Sequence, residues 1–138
     1  MTLLDTDSLS LLMNGHPRLT ERVRNSEETV AIPIITRIEV LQGRFASILT
    51  ASDGQRLLVA QEWLDRNEAY MATLDIVPID AASANRFDDL RTQKKLKKIG
   101  RADLLIASIA IANRATLVSR NLKHFRQVPD LNVENWAD

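Results

Sequence analysis

Short apolar runs of strand length alternate along this chain with longer stretches whose apolar residues recur at helical spacing. Thr2-Leu3-Leu4 reads as a short buried strand, and a helical stretch through Leu9, Leu12 and Met13 follows it as far as Asn14-Gly15. Pro17 suits the first turn of another helix, which runs to about Asn25. Val30-Ala31-Ile32 reads as a second strand, ended by Pro33, which has no N–H to give to a ladder. Ile38, Leu41, Phe45, Ile48 and Leu49 predict a helix over 36–50. A longer helix begins at about Gly54 and carries Leu57, Leu58, Gln61, Leu64 and Tyr70. Ile76-Val77-Pro78-Ile79 reads as a third strand, with Asp80 placed to cap a helix over 81–96. Asp103 to Asn113 is apolar and rich in small residues, the pattern of a helix packed on both sides. Thr116-Leu117-Val118 is a fourth strand. A helical turn near 122–126 and a last strand around Asn132 to Glu134 complete the pattern.

No repeat, linker or low-complexity tract interrupts this alternation, so residues 1–138 read as one domain. Strands separated by helices imply parallel pairing through right-handed crossovers. The fold class is therefore α/β: a three-layer α/β/α sandwich around a central, mainly parallel sheet. Ligands of such sheets bind beyond the carboxyl ends of the strands, so chemistry is to be sought there.

Composition narrows the chemistry. Of 138 residues, 45% are apolar, and 18 Lys and Arg balance 18 Asp and Glu; this is the make-up of a globular chain and not of a disordered one. The complete lack of cysteine excludes disulfides, a thiolate zinc site and a cysteine nucleophile. With His16 and His124 as the only histidines, a histidine-rich metal site is excluded as well. A metal would be held by oxygen, which points to Mg²⁺ or Mn²⁺. The leucine-rich start, MTLLDTDSLSLLMN, has no basic segment and is interrupted by Asp5 and Asp7, unlike a secretory signal. The longest apolar run, Leu104 to Ala112, is far short of the ~20 residues that span a bilayer. The expectation is a soluble cytoplasmic protein without a membrane partner.

Zero net charge conceals an uneven distribution. Lys94, Lys95, Lys97, Lys98 and Arg101 fall close together with no acid between them. Such a run is either a solvated helix end or a patch that faces phosphates, and composition does not choose between them.

The acids are placed more tellingly. Asp5 directly follows the first strand, with Asp7 two residues on. Glu39 lies in the first turn of the helix after the second strand, and Asp103 opens the helix that leads into the fourth. Asn121 follows that strand closely. In a parallel sheet these positions share one rim. Clustered carboxylates raise each other's pKa, and a divalent cation among them removes the repulsion. Each residue also has a plain structural use. Thr36-Arg37-Ile38-Glu39 matches a capping box, Asp103 in a first turn complements the helix dipole, Asp5 or Asp7 suits an N-cap, and Asp80 has no use but capping. None of these explains why Asp5, Glu39 and Asp103 meet on one rim.

Four segments then carry a resemblance: Leu3-Leu4-Asp5-Thr6-Asp7, Thr36-Arg37-Ile38-Glu39-Val40-Leu41-Gln42-Gly43, Gly100-Arg101-Ala102-Asp103-Leu104-Leu105-Ile106-Ala107, and Ser119-Arg120-Asn121-Leu122-Lys123-His124-Phe125. In order and spacing they resemble the successive motifs of the PIN-domain family, nearest in pattern to the VapC-like toxin ribonucleases of bacterial (VapBC) toxin–antitoxin pairs. The similarity covers nearly the whole chain. It implies a metal-dependent endoribonuclease that inhibits translation, with RNA as substrate, Mg²⁺ or Mn²⁺ as cofactor, a VapB-like antitoxin as partner, and a homodimer. Asp5, Glu39 and Asp103 match the family's metal-holding acids. Asn121 stands where many members have a fourth acid, and an amide there would hold a second ion more weakly. Ser119 matches a position usually Thr or Ser, and Asp7 one where a small polar residue is common.

On this reading the reaction is metal-assisted phosphodiester hydrolysis, with the basic run guiding RNA and Arg37 and Arg120 as secondary phosphate contacts. His16, in a loop before Pro17, and His124, near the site but outside the acid cluster, are assigned surface or structural roles. Two other functions fit part of the pattern. A haloacid-dehalogenase-type phosphatase would use Asp5 as nucleophile and Asp7 as general acid, but it needs a late lysine and an acidic pair after a strand, whereas Asp88-Asp89 lies in a helical pattern. A non-catalytic PIN-like module that binds RNA or protein is disfavoured by the intact acid trio. Leu9, Leu12, Met13 and Leu19, with helix 54–70, are candidate partner surfaces that serve equally well as core.

Overall fold

The computed structural model describes all 138 residues. Its elements in chain order are β1 (Thr2–Leu4), α1 (Thr6–Met13), α2 (Pro17–Arg24), β2 (Val30–Pro33), α3 (Ile34–Leu49), α4 (Gly54–Met71), β3 (Asp75–Val77), α5 (Ala81–Arg91), a 3-10 turn (Lys94–Leu96), α6 (Arg101–Ala112), β4 (Thr116–Val118), α7 (Leu122–Phe125) and β5 (Asn132–Glu134). The five strands form one sheet in the order β3-β2-β1-β4-β5, and every pairing is parallel. The three-layer α/β/α class predicted from the alternation is the observed one.

Consecutive side chains of a strand point to opposite faces, and the core follows that rule. Leu3, Ala31 and Leu117 belong to one apolar cluster, filled from the helical side by Leu90, Ile106, Ile109, Ala110 and Phe125. Their neighbours Leu4, Ile32 and Val118 belong to the other, with Leu9, Leu12, Leu19, Val40, Met71 and Trp136. The sheet is thus covered on both faces, as parallel sheets are. Helix α6 lies between the sheet and α5, which explains its small, apolar sequence. Leu9, Leu12 and Leu19 are core. No helix is long and apolar enough to cross a membrane.

Several boundaries differ from expectation. The third strand is Asp75–Val77, because Pro78 cannot extend the ladder. Asp80 does cap α5, its Oδ1 accepting the Ser83 N–H at 2.8 Å, but that helix stops at Arg91 and not at 96. The chain then tightens into the 3-10 turn so that Leu96 and Ile99 reach the core. Helix α3 starts at Ile34, two residues earlier than its apolar spacing suggests, with consequences for the site.

Candidate active site at the carboxyl rim of the sheet

Crossover helices run back antiparallel to the strands, so the first turns of α3 and α6 stand at the carboxyl ends of β1, β2 and β4. The last ladder pair of the two central strands is Leu4 with Val118, and three further bonds lock the rim just beyond it. The Val118 carbonyl accepts the Asp5 N–H at 3.1 Å and the Ser8 hydroxyl at 3.2 Å, and the Leu4 carbonyl accepts the Thr36 hydroxyl at 3.0 Å. Thr36 therefore does not form a capping box. The N-cap of α3 is Pro33, without a side-chain cap. Glu39 lies in the second turn and is not a capping residue, so its plain structural explanation fails. The Thr36 bond fastens α3 to the end of β1 and brings Glu39 toward Asp5. Replacing Thr36 by Val leaves a buried carbonyl short of a donor and should cost about 1–3 kcal/mol, read by thermal or denaturant unfolding.

Asp5 is 6% exposed and caps α1, its Oδ1 accepting the Ser8 N–H at 2.9 Å. Burial pushes its carboxyl above the usual range; the Ser119 and Ser8 hydroxyls and the Ser8 N–H pull the other way, and the nearby charge of Asp7 adds to the rise. Asp103, half-buried in the first turn of α6, is also raised, first by burial and then by the charges of Asp5 and Glu39, while His124 lowers it. Glu39 is half-buried and its Oε1 accepts the Thr6 hydroxyl at 2.5 Å. The structure thus brings Asp103 within Coulombic reach of both Asp5 and Glu39, and none of the three takes part in any of the chain's six ion pairs. No three acidic or histidine side chains close into a ready chelate.

The remaining candidates fall around this trio. Ser119 is fully buried, and its Oγ accepts the Asn121 N–H at 2.9 Å. The Asn121 amide Nδ2 lies 3.2 Å from His124 Nδ1, so His124 stands at the edge of the site, outside the acid trio. His16 is structural: its Nδ1 accepts the Leu19 N–H and caps α2. Asp7 is exposed and meets the site only through its charge. Lys94, Lys95, Lys97 and Lys98 are exposed and form no ion pair; the buried Leu96 and Ile99 between them hold the turn in place. Arg101 begins α6, two residues before Asp103, with its guanidinium 5.1 Å from the Phe87 ring centre. Arg120 pairs with the exposed Asp138 through its Nε at 3.3 Å. The tertiary roles of Thr6 and Thr36 were not legible in the sequence, because threonine at a helix start is so common that only the tertiary partner marks it.

A family model described as the PIN domain matches residues 2–131, and the chain belongs to that family. The protein named Ribonuclease VapC2 from Rickettsia felis is 34% identical, over 97% of this chain and 96% of its own length. The tRNA(fMet)-specific endonuclease VapC of Salmonella typhimurium is 23% identical, over 98% and 97%. Among solved structures, VapBC2 from Rickettsia felis bound to a promoter DNA fragment superposes with a TM-score of 0.75 at 32% identity, covering 98% of both chains. The DNA-bound VapBC of Salmonella typhimurium, at 23% identity, covers 98% of this chain and 97% of its own with a TM-score of 0.83 and shares the fold.

Proposed function

We propose that this chain is an endoribonuclease that hydrolyses RNA phosphodiester bonds with the help of Mg²⁺ or Mn²⁺, and that it is the toxin of a toxin–antitoxin pair. The observation that carries the reading is the gathering of Asp5, Glu39 and Asp103 at one rim with none of them in an ion pair. Such a set of hard oxygen donors suits a divalent cation. The names of the relatives, a ribonuclease at 34% identity and toxin–antitoxin complexes among the structures, supply the substrate class and the partner.

Asp5, Glu39 and Asp103 would hold the ion, with Asn121 at its margin. When bound, the cation supplies Lewis acidity toward water and toward the phosphoryl oxygens. The chain's own residues do the rest. The Ser8 N–H fixes the Asp5 carboxylate, and Ser119 lies beneath it as a hydroxyl donor. Thr6 holds Glu39 in place on α3. Lys94, Lys95, Lys97, Lys98 and Arg101 draw the RNA backbone toward Asp103 by sequence-independent attraction. With Asp5, Glu39 and Asp103 turned to the ion, water activated by it would be the attacking nucleophile, and no nucleophile from the protein is needed.

The antitoxin and a second copy of the chain have a surface to meet. Ile38, Phe45 and Leu49 of α3 and Leu57, Leu58 and Val59 of α4 are exposed, Leu49 at 84% and Leu58 at 74%, a concentration of apolar area typical of interaction sites. Cleavage of RNA by purified, antitoxin-free protein tests the proposal. Cutting with Mg²⁺ or Mn²⁺ that stops in EDTA is the expected result. Folded protein that cuts no RNA under either condition would refute it and leave a non-catalytic binding module.

A further inference from the structure

Beside the acidic trio a groove lies where α1, α3 and α4 meet, and its lining differs from the rest of the α3 surface. Glu39 stands at its inner end, and Thr6, Ser10, Ser47, Asn67 and Arg44 line a space of about 230 Å³ in which Val40 is the one apolar side chain. At about 100° per residue, Ile38, Phe45 and Leu49 form one stripe of α3, whereas Glu39, Gly43, Arg44 and Ser47 occupy the opposite side. The apolar stripe and the polar groove therefore lie on different sides of α3.

Arg44 is held in a particular pose. Its Nε–H donates to Asn67 Oδ1 at 2.7 Å, and Asn67 is itself 4% exposed. Its guanidinium also lies 5.3 Å from the Trp63 ring centre, within cation–π range. No carboxylate pairs with it, and its terminal NH2 groups, which carry the remaining donors, bond to nothing in the chain. An arginine fixed by its Nε and its flat face, with its fork left open, is pre-organised for an oxyanion with several acceptor oxygens. It stands about 7.5 Å along α3 from Glu39, and beyond it the groove opens into a wider cleft that shares Arg44 and Ser47 and reaches Trp63.

We propose that this groove is a subsite for the RNA backbone, in which Arg44 grips a phosphate flanking the cleavage point. Hydroxyls, an amide and one arginine match a sugar–phosphate chain, and a single apolar residue does not suit an apolar peptide segment. The inference rests on the ribonuclease reading and adds a specific substrate contact to it. Arg44 acts in binding, so its loss should separate KM from kcat.

The test is steady-state cleavage of an RNA oligonucleotide by wild type, Arg44→Ala and Arg44→Lys, each checked for folding by circular dichroism and for assembly with the antitoxin. The expected result is a KM raised about 10-fold in Arg44→Ala, the loss of a charge-assisted bond, with kcat nearly unchanged. Arg44→Lys should recover only part of it, because a point charge does not reproduce the fork, and this variant carries the test if Arg44→Ala does not fold. Unchanged KM in both variants, with wild type cutting normally, would overturn the subsite and leave the ribonuclease reading intact. A defect confined to antitoxin assembly would overturn it too, assigning the groove to protein. Absence of cutting by wild type would remove both.

Discussion

Asp103→Asn should lower RNA cleavage by at least about 10²-fold, given that even groups one step removed from a metal cost 10–100-fold when lost. The change is nearly isosteric and Asp103 makes no structural hydrogen bond that Asn must replace, so the variant should fold. Asp5→Asn is the companion. An amide oxygen can still accept the Ser8 N–H that caps α1, so helix α1 survives while one of the three charges is lost. Initial rates of cutting at saturating Mg²⁺ or Mn²⁺, beside circular dichroism spectra, check both. A structural role alone would show as unfolding with proportionate loss, and a metal-holding role as loss without unfolding.

The second large effect is on stability, and its sign is opposite to the effect on activity. Burial and mutual repulsion raise Asp103, and burial raises Asp5, above the ordinary aspartate value. A carboxyl raised on folding favours the folded state while protonated. That contribution is present at pH below the unfolded value of about 3.9 and is lost as pH climbs through the folded value; above it the ionised pair costs stability. Asp103→Asn should therefore melt a few degrees higher than wild type in EDTA at neutral pH, the scale of shift that about 1 kcal/mol produces in a chain of this length. The gap should narrow as pH falls. Divalent cation should reverse the order: at 100 times its Kd an ion adds about 2.7 kcal/mol to wild type and much less to Asp103→Asn. Thermal midpoints across pH, with and without Mg²⁺, read all three comparisons. Such a trade of stability for a working site is common where charges are gathered for function.

The alternation of β-like and helical runs was enough to define the layers, because the interior strands β1, β2 and β4 are buried and read as short apolar runs, whereas the edge strands β3 and β5 are largely exposed and less plainly marked. Leu3 and Leu4 illustrate it: neighbours in sequence, they enter opposite halves of the core. Asp80 as a helix cap was legible from spacing for the same local reason. What depended on tertiary partners was not. The pattern Thr36-x-x-Glu39 has a local meaning as a capping box, and only the bond from Thr36 to the Leu4 carbonyl shows that α3 begins earlier and that Glu39 faces the rim. The helix over 81–96 was overextended because lysines are good helix formers, whereas the need to bury Leu96 and Ile99 broke it into a turn. His124, three residues beyond Asn121, was legible as a neighbour of the site, but its contact with the Asn121 amide depends on how α7 turns its ring. The Arg44–Asn67–Trp63 contact joins two helices and leaves no trace in a pattern read along the chain.

Direct binding of Mn²⁺, followed by electron paramagnetic resonance as the free ion's signal is lost on titration with protein, tests the central claim without an RNA substrate. Wild type should take up the ion, and Asp5→Asn and Asp103→Asn, both folded, should bind it at least about 10-fold more weakly. Equal uptake by wild type and both variants would contradict the account, since the carboxylates gathered at the rim would then not be what holds the metal.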